Sequence, residues 1–543
     1  MTCYFHNRLN HHLLKVYVLI IYIITLLVAC GDGGSSGSAN RNSFSGNNLN
    51  TTNIPSEADP DVWVEGVFLP ASNFRNMCAS PVPGTSDNPG TFIDENNFLR
   101  SHSNNTYLWF DEVIDRDPAL HSTPDYFDFL KTDALTPSGN FKDNFHFSIP
   151  TNEWIAQSQS GISSGYGMEV ALLSSSPPRR AVVAFTEPGT PATSGDANLA
   201  RGAEILTIDG VDVVFGSNIE ALNAGLFPDS NGELHSFTVR DLDGSVRSFI
   251  MTSAVITSTP VQNVTTIDTA SGKVGYFLFN DHIATAEGGL INAINQLLAA
   301  GIDELVLDIR YNGGGFLDLA SELSYMIAGA GRTSGKIFEE IKFNDKHPVF
   351  NPITGELLEP VPFHSRSLGF DATVPTGTFL PSMNLGRVYI LTGDDTCSAS
   401  ESIMNSLRGV DVEVIQIGST TCGKPYGFFP ASNCGTTYFT IQFQGINDKG
   451  FGDYPDGFSP VNTVSNAGVL LPGCSVGDDF TAALGDPGEA RLAAAITHMN
   501  TGTCPIPSGF FGPKLLTSGS LPADNTLINR TLWQQNRIIW ESR

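Results

Sequence analysis

Residues 256–505 alternate short, continuous apolar runs with longer amphipathic stretches, and this alternation restricts the fold more than any other feature of the chain. Val274–Phe279, Leu305–Ile309, Val388–Leu391 and Val412–Ile417 read as strands. Such runs have no polar face, so both sides of each strand must be covered. Residues 287–298, 316–328 and 398–407 carry apolar positions at helical spacing and supply that cover. The expectation is an α/β fold.

Two strand-to-helix links in this region have unusual composition. One is Asp308-Ile309-Arg310-Tyr311-Asn312-Gly313-Gly314-Gly315; the other is Thr396-Cys397-Ser398-Ala399-Ser400-Glu401. Thr421-Cys422-Gly423-Lys424 follows one strand later. A serine at a helix start meets unpaired N–H groups and the positive end of the helix dipole. A glycine turn lets further N–H groups approach a ligand. A lysine in an apolar pocket is driven toward the neutral amine and can take a proton. Taken singly, each has a plainer explanation: a helix cap, a turn, a surface charge.

Together and in this order, the three phrases resemble peptidase family S41, the C-terminal processing peptidases, over roughly residues 75–505. The resemblance implies a ClpP/crotonase-like α/β catalytic domain (256–505) with a PDZ-like β-rich domain and a small N-terminal helical cap. It implies a Ser–Lys dyad with Ser398 as nucleophile and Lys424 as base. It also implies an oxyanion hole from the N–H of Ala399 and one from Gly313 or Gly314. Phe428 and Phe429 are candidates for the apolar wall around Lys424. The family often has Gln four residues after the lysine, where this chain has Phe428. Glu401, Gln442, Gln444 and His282 are the candidates for a partner of the base.

Residues 156–255 contain Leu199-Ala200-Arg201-Gly202-Ala203-Glu204-Ile205-Leu206-Thr207-Ile208-Asp209-Gly210. This resembles a PDZ segment, with Ala203 where Asp is usual. Gly165-Tyr166-Gly167-Met168 then stands where such domains place the loop that binds a peptide carboxylate, the peptide adding as a strand. The alternative is a plain hairpin turning at Asp209-Gly210. Gly161-Ile162-Ser163-Ser164-Gly165 fits G-x-S-x-G, but a polar segment precedes it and a strand follows, the wrong setting for a nucleophile elbow. Residues 58–155 read as the cap, with helical spacing over 97–100, 106–110 and 126–130 and a break at Asp117-Pro118. Residues 506–543 are a tail with an expected short helix over 532–540.

Residues 1–30 carry Arg8 and Lys15, then an apolar run too short for a comfortable span, ending Leu27-Val28-Ala29-Cys30. This resembles a bacterial lipoprotein signal with lipidation at Cys30; an uncleaved anchor helix is the alternative. Gly31 after the cysteine implies the outer membrane. Residues 31–57 are rich in Gly, Ser, Asn and Thr and read as a flexible linker. Beyond Cys3 and Cys30, six of the eight cysteines remain, an even number that favours disulfides in an exported chain. Cys422 with Cys434 and Cys474 with Cys504 are the sequence-near pairings; Cys397 with Cys422, flanking Ser398 and Lys424, is another.

A net charge of −27 argues against nucleic acid and anionic lipid as partners. No metal or cofactor motif is present. The expectation is therefore an envelope-tethered serine endopeptidase with protein or peptide substrates, captured through their C-termini. An inactive peptide-binding scaffold, an apolar-ligand carrier and a non-peptide acyl hydrolase are the alternatives.

Overall fold

The computed structural model describes residues 62–464 and 468–505, together with the backbone of the strand Arg537–Ile539. The signal sequence with Cys30, the linker 31–57 and the rest of the tail lie outside the described residues.

At its centre is a six-stranded sheet in the order Val261–Thr269, Gly272–Phe279, Glu304–Asp308, Arg387–Thr392, Glu413–Gly418 and Gly473–Ser475. The first two strands are antiparallel and every later pair is parallel. The apolar runs become strands because alternate residues serve opposite faces. Phe277, Leu305, Leu307, Val388 and Ile390 meet the helices Ala286–Ala300, Leu317–Ala328 and Ala399–Gly409. Tyr276, Val306, Tyr389, Leu391, Ile415 and Ile417 face the other way, onto Leu492, Ala494 and Ala495 of helix Ala490–Thr501. Every strand and helix expected in the sheet region is present to within two residues.

The segment expected to be PDZ-like forms a sheet in the order Val246–Thr252, Leu234–Arg240, Glu204–Ile208, Arg180–Thr186 and Met168–Ser174, with helix Ile219–Leu226 against it. Asp209 (φ 50°) and Gly210 (φ 77°) turn the chain into the short strand Val211–Asp212. Positive φ at both centre positions is the hairpin turn that Asp-Gly favours. The module is entered and left through a two-stranded stem, Ile162–Gly165 antiparallel to Ala254–Thr257. Ser163 lies in this stem, so G-x-S-x-G here is strand and not elbow.

In the segment expected to form the cap, Phe92–Thr106 is a helix opened by a Thr91–Asp94 capping box. The helical spacing expected through 106–110 does not continue. Tyr107 adopts an extended conformation (ψ 134°), its hydroxyl donates to Asp143 at 2.6 Å, and Leu108 N donates to Ile441 O at 2.8 Å. Helix Thr151–Ser160 crosses the expected border at 155. Phe147–Pro150 pairs with Thr436–Phe439, and Cys78 is bonded to Cys434. The expected Cys422–Cys434 bridge is therefore replaced by Cys78–Cys434 and Cys397–Cys422, while Cys474–Cys504 forms as expected. The segment of Cys78 meets that of Cys434 through Asn76 N–H, which donates to Asn433 Oδ1 at 2.8 Å, so nearness in sequence does not choose the partner of Cys434. The tail also departs from expectation: within the expected helix 532–540, Arg537–Ile539 is an extended strand, parallel to Gly314–Phe316.

Candidate active site

Ser398 is the N-cap of helix Ala399–Gly409, at the end of the loop that follows strand Arg387–Thr392. Glu401 Oε2 accepts Ser398 N–H at 2.9 Å. An ordinary N-cap sits in the β region. Ser398 has φ 63° and ψ −118°, a conformation that a non-glycine residue holds at a cost of about 1–3 kcal/mol and that concentrates at functional sites. Ala399, the first helical residue, is buried beside it, where a helix leaves its N–H without an intrahelical partner.

Glu401 also organises the Lys424 segment. Its Oε1 accepts Gly423 N–H at 2.9 Å and the Thr421 hydroxyl at 2.5 Å; its Oε2 accepts Lys424 N–H at 2.8 Å. The backbone N–H groups of Ser398 and Lys424 thus converge on one carboxylate oxygen. The Cys397–Cys422 bond closes the same junction, with Cys422 Sγ 3.3 Å from Glu401 Oε2. Burial raises the Glu401 carboxyl above its usual range, against the lowering effect of these donors. Gly423 (φ 86°) must be glycine here, because a Cβ would run into Pro455 O.

The Lys424 side chain is fully buried. Its Nζ lies 4.3 Å from the ring centre of Phe428 and 4.8 Å from that of Phe145. Phe428 therefore forms the wall expected of it. Phe429 instead packs against Phe343 and Phe443. Phe145, far away in the cap sequence, gave no signal in the sequence. Of the other candidates, Gln442 accepts Phe429 N–H at 2.8 Å and Gln444 donates to Gly452 O at 2.8 Å.

The glycine turn is held by Asn312, which the sequence reading treated only as part of a phrase. Its Nδ2 donates to Phe279 O at 2.9 Å, which fixes Oδ1 as the acceptor of Gly314 N–H at 3.0 Å. His282 Nδ1 lies 3.0 Å from the same Oδ1 and so carries the imidazole proton. The Gly314 N–H is thus engaged within the turn, which leaves Gly313 as the oxyanion candidate of the pair. Asn312 O accepts Cys397 N–H at 3.1 Å and the Ser400 hydroxyl at 3.0 Å, joining the turn to helix Ala399–Gly409.

Behind the turn, Arg310 is buried in a charge network. It pairs with Asp308, with both oxygens of Glu489 (2.7 and 3.0 Å) and with Asp478 at 2.7 Å. Burial alone would raise the Asp478 carboxyl, but Arg491, Arg310 and Arg201 hold it far below the usual range. Arg201, from the PDZ-like segment, donates to Asp478 and to Tyr311 Oη, each at 2.6 Å. The residues preceding the glycine turn are in this way bonded to the neighbouring module.

The loop expected to bind a carboxylate, Gly165–Met168, joins the stem to strand Met168–Ser174. The carbonyls of Tyr166 and Gly167 accept Ala192 and Glu187 N–H, at 2.9 and 2.8 Å. Met168–Ser174 is the outer strand of its sheet. Two groups of Cys and Glu residues lie close enough to hold a metal, but their cysteines are the disulfide pairs Cys78–Cys434 and Cys397–Cys422. The thiolate is the metal-binding form. Among the described residues no helix is long and apolar enough to cross a membrane.

Residues 273–429 match the model of peptidase family S41. This stretch carries the glycine turn, Ser398 and Lys424. The chain is 34% identical over 139 residues to a carboxyl-terminal-processing protease of Picosynechococcus sp., covering 25% of this chain and 32% of that protein. It is 28% identical over 239 residues to the chloroplastic carboxyl-terminal-processing peptidase 1 of Arabidopsis thaliana, covering 42% of this chain and 41% of the relative. The matches thus span about a third to two fifths of these relatives. A Bacteroides fragilis protein assigned to the S41 proteases shares the fold, with TM-score 0.54 and 20% identity over 78% of this chain and 100% of that one.

Proposed function

We propose that the protein is a serine-type endopeptidase acting on protein or peptide substrates. The observation that carries this reading is Ser398, held at positive φ on a buried helix start while sharing one carboxylate oxygen with the backbone of Lys424. The Ser398 hydroxyl attacks a peptide carbonyl and its proton passes to the Lys424 amine. The resulting oxyanion lies against the N–H groups of Ala399 and Gly313, each worth about 3 kcal/mol in the barrier. Lys424 then gives the proton to the leaving amine. An ester to Ser398 remains, and water attacks it with Lys424 again as proton acceptor.

The outer strand Met168–Ser174, following Gly165–Met168, supports capture of a substrate C-terminus by strand addition. The lipoprotein-like signal supports tethering at the envelope through Cys30; a Cys30→Ser variant that still incorporates labelled fatty acid would refute that attachment.

The deciding experiment incubates the protein and its Ser398→Ala and Lys424→Ala variants with unfolded proteins, and maps the products by mass spectrometry. Cleavage by the parent and loss in both variants is expected. Cleavage retained in Lys424→Ala would remove the lysine from the base role. No cleavage by a folded parent would favour a peptide-binding scaffold, a reading suggested by Phe428, whose ring stands against Nζ where the family often has a glutamine.

A further inference from the structure

The strand Gly314–Phe316 has two edges, and both are in use. On one, His282 N donates to Gly314 O at 3.2 Å and Phe316 N donates to His282 O at 2.8 Å. A strand turns successive peptide groups to opposite sides, so the N–H and C=O of Gly315 face the other edge. On that edge lies Arg537–Ile539, parallel, with Ile538 opposite Gly315. The same tail strand runs beside helix Ala399–Gly409 and beside strand Tyr426–Gly427. It is therefore flanked by three elements: the strand leaving the glycine turn, the helix that Ser398 caps, and the strand two residues beyond Lys424.

An extended peptide whose carbonyl is to reach Ser398 and the N–H of Gly313 needs this same corridor, and an exposed strand edge is where a peptide adds. We propose that the edge of Gly314–Phe316 turned away from His282 is the acceptor site for an extended polypeptide laid parallel to it, and that residues 537–539 of this chain are its resident occupant, competing with substrate. The proposal rests on the peptidase reading for the word substrate, but the strand-binding site itself does not. The segment Arg537-Ile538-Ile539-Trp540 suits the role, since β-branched and aromatic residues favour extended backbone. While the tail is docked, only the undocked fraction can take a substrate, and apparent affinity falls by that fraction.

The test uses the full chain and an I538P/I539P variant, which removes both ladder N–H groups of the tail strand whichever of them faces Gly315. Each is made with and without Ser398→Ala. In the Ser398→Ala background, a fluorescent peptide of residues 531–543 is titrated and followed by anisotropy. The proline variant should bind it roughly tenfold or more tightly than the unaltered tail allows, and with Ser398 present it should cleave an unfolded protein roughly tenfold or more faster at low substrate. Equal peptide affinity in both backgrounds, or binding to neither, overturns the proposal. Tighter binding with no cleavage by any form keeps the strand site and removes the peptidase reading. Cleavage that the prolines leave unchanged, with no gain in peptide binding, keeps the peptidase and removes the resident tail. A variant lacking residues 537–543 serves as the second perturbation; unfolding of both would make the strand structural and likewise refute competition.

Discussion

Glu401→Gln is the sharpest perturbation of the site, because it changes one atom and a charge. The carboxylate accepts from Ser398, Gly423 and Lys424 N–H and from the Thr421 hydroxyl. An amide has only one acceptor oxygen. If that oxygen takes the place of Oε2, Ser398 and Lys424 keep their partner, and Gly423 N–H faces an NH2 group. If it takes the other place, both Ser398 and Lys424 lose theirs. The first orientation is cheaper. It leaves one buried N–H unpaired, about 1–3 kcal/mol, and removes the charge assistance from the others. Relief of the burial that raises the Glu401 carboxyl offsets part of this. A net loss of about 2–4 kcal/mol in stability is expected. Displacement of the Gly423–Lys424 turn by even ~1 Å should lower kcat by roughly a hundredfold, with KM little changed. Urea unfolding and steady-state cleavage of a labelled protein read the two quantities. Unchanged unfolding and unchanged kcat in Glu401→Gln would refute the view that this carboxylate sets the dyad.

Arg310→Met should be severe. It leaves Asp308 and Glu489 buried without their cation, an effect of about 3–5 kcal/mol, and a soluble variant with the parent's melting temperature would contradict the network. Burial pushes the Glu187 carboxyl up to about 7 from 4.5, against the lowering by its donors at Thr259 and Ser258. In that window the native state holds the proton more tightly than the unfolded one. The contribution is therefore full below pH 4.5 and lost as pH rises through about 7, amounting to roughly 3 kcal/mol. A Glu187→Gln variant should lack this slope in unfolding curves taken across the range, and an unaltered slope would count against it. Thiol labelling of the denatured, unreduced chain should leave Cys78, Cys397, Cys422, Cys434, Cys474 and Cys504 unmodified, and a peptide map should contain Cys78 joined to Cys434. Opening Cys397–Cys422, which are 25 residues apart, should cost about 3–4 kcal/mol on the chain-entropy account.

The sheet region was legible because its strands are apolar on both faces, so each announces itself without knowledge of its neighbours. The order of the glycine, serine and lysine phrases was legible for a similar reason: each sits at a local strand-to-helix junction. What failed depends on distance. Phe145 reaches Lys424 only because Phe147–Pro150 joins a strand nearly three hundred positions later. Cys434 is bonded to Cys78, 356 positions away in sequence. Tyr107 leaves helical geometry for an acid 36 residues on. The tail strand is extended where a helix was expected, because it pairs along the edge of Gly314–Phe316, more than two hundred positions earlier. Asn312 was visible as a residue but not as the hub of the turn, since its partners Phe279, His282, Gly314, Cys397 and Ser400 come from three separate segments.

The stem Ile162–Gly165 with Ala254–Thr257 has a consequence for how such a protein is assembled. Ile162 stands directly opposite Thr257, so the module between them begins and ends at neighbouring points. A unit with adjacent ends can be gained, lost or exchanged without rerouting the chain around it. Its own apolar cluster, centred on Ile205, Leu222, Phe237 and Val239, is complete within those limits. The module between Ile162 and Thr257 can therefore be altered or replaced independently of the sheet that carries Ser398 and Lys424. The part that cannot be exchanged freely is Arg201, whose bonds to Asp478 and Tyr311 are the terms on which any substitute must dock.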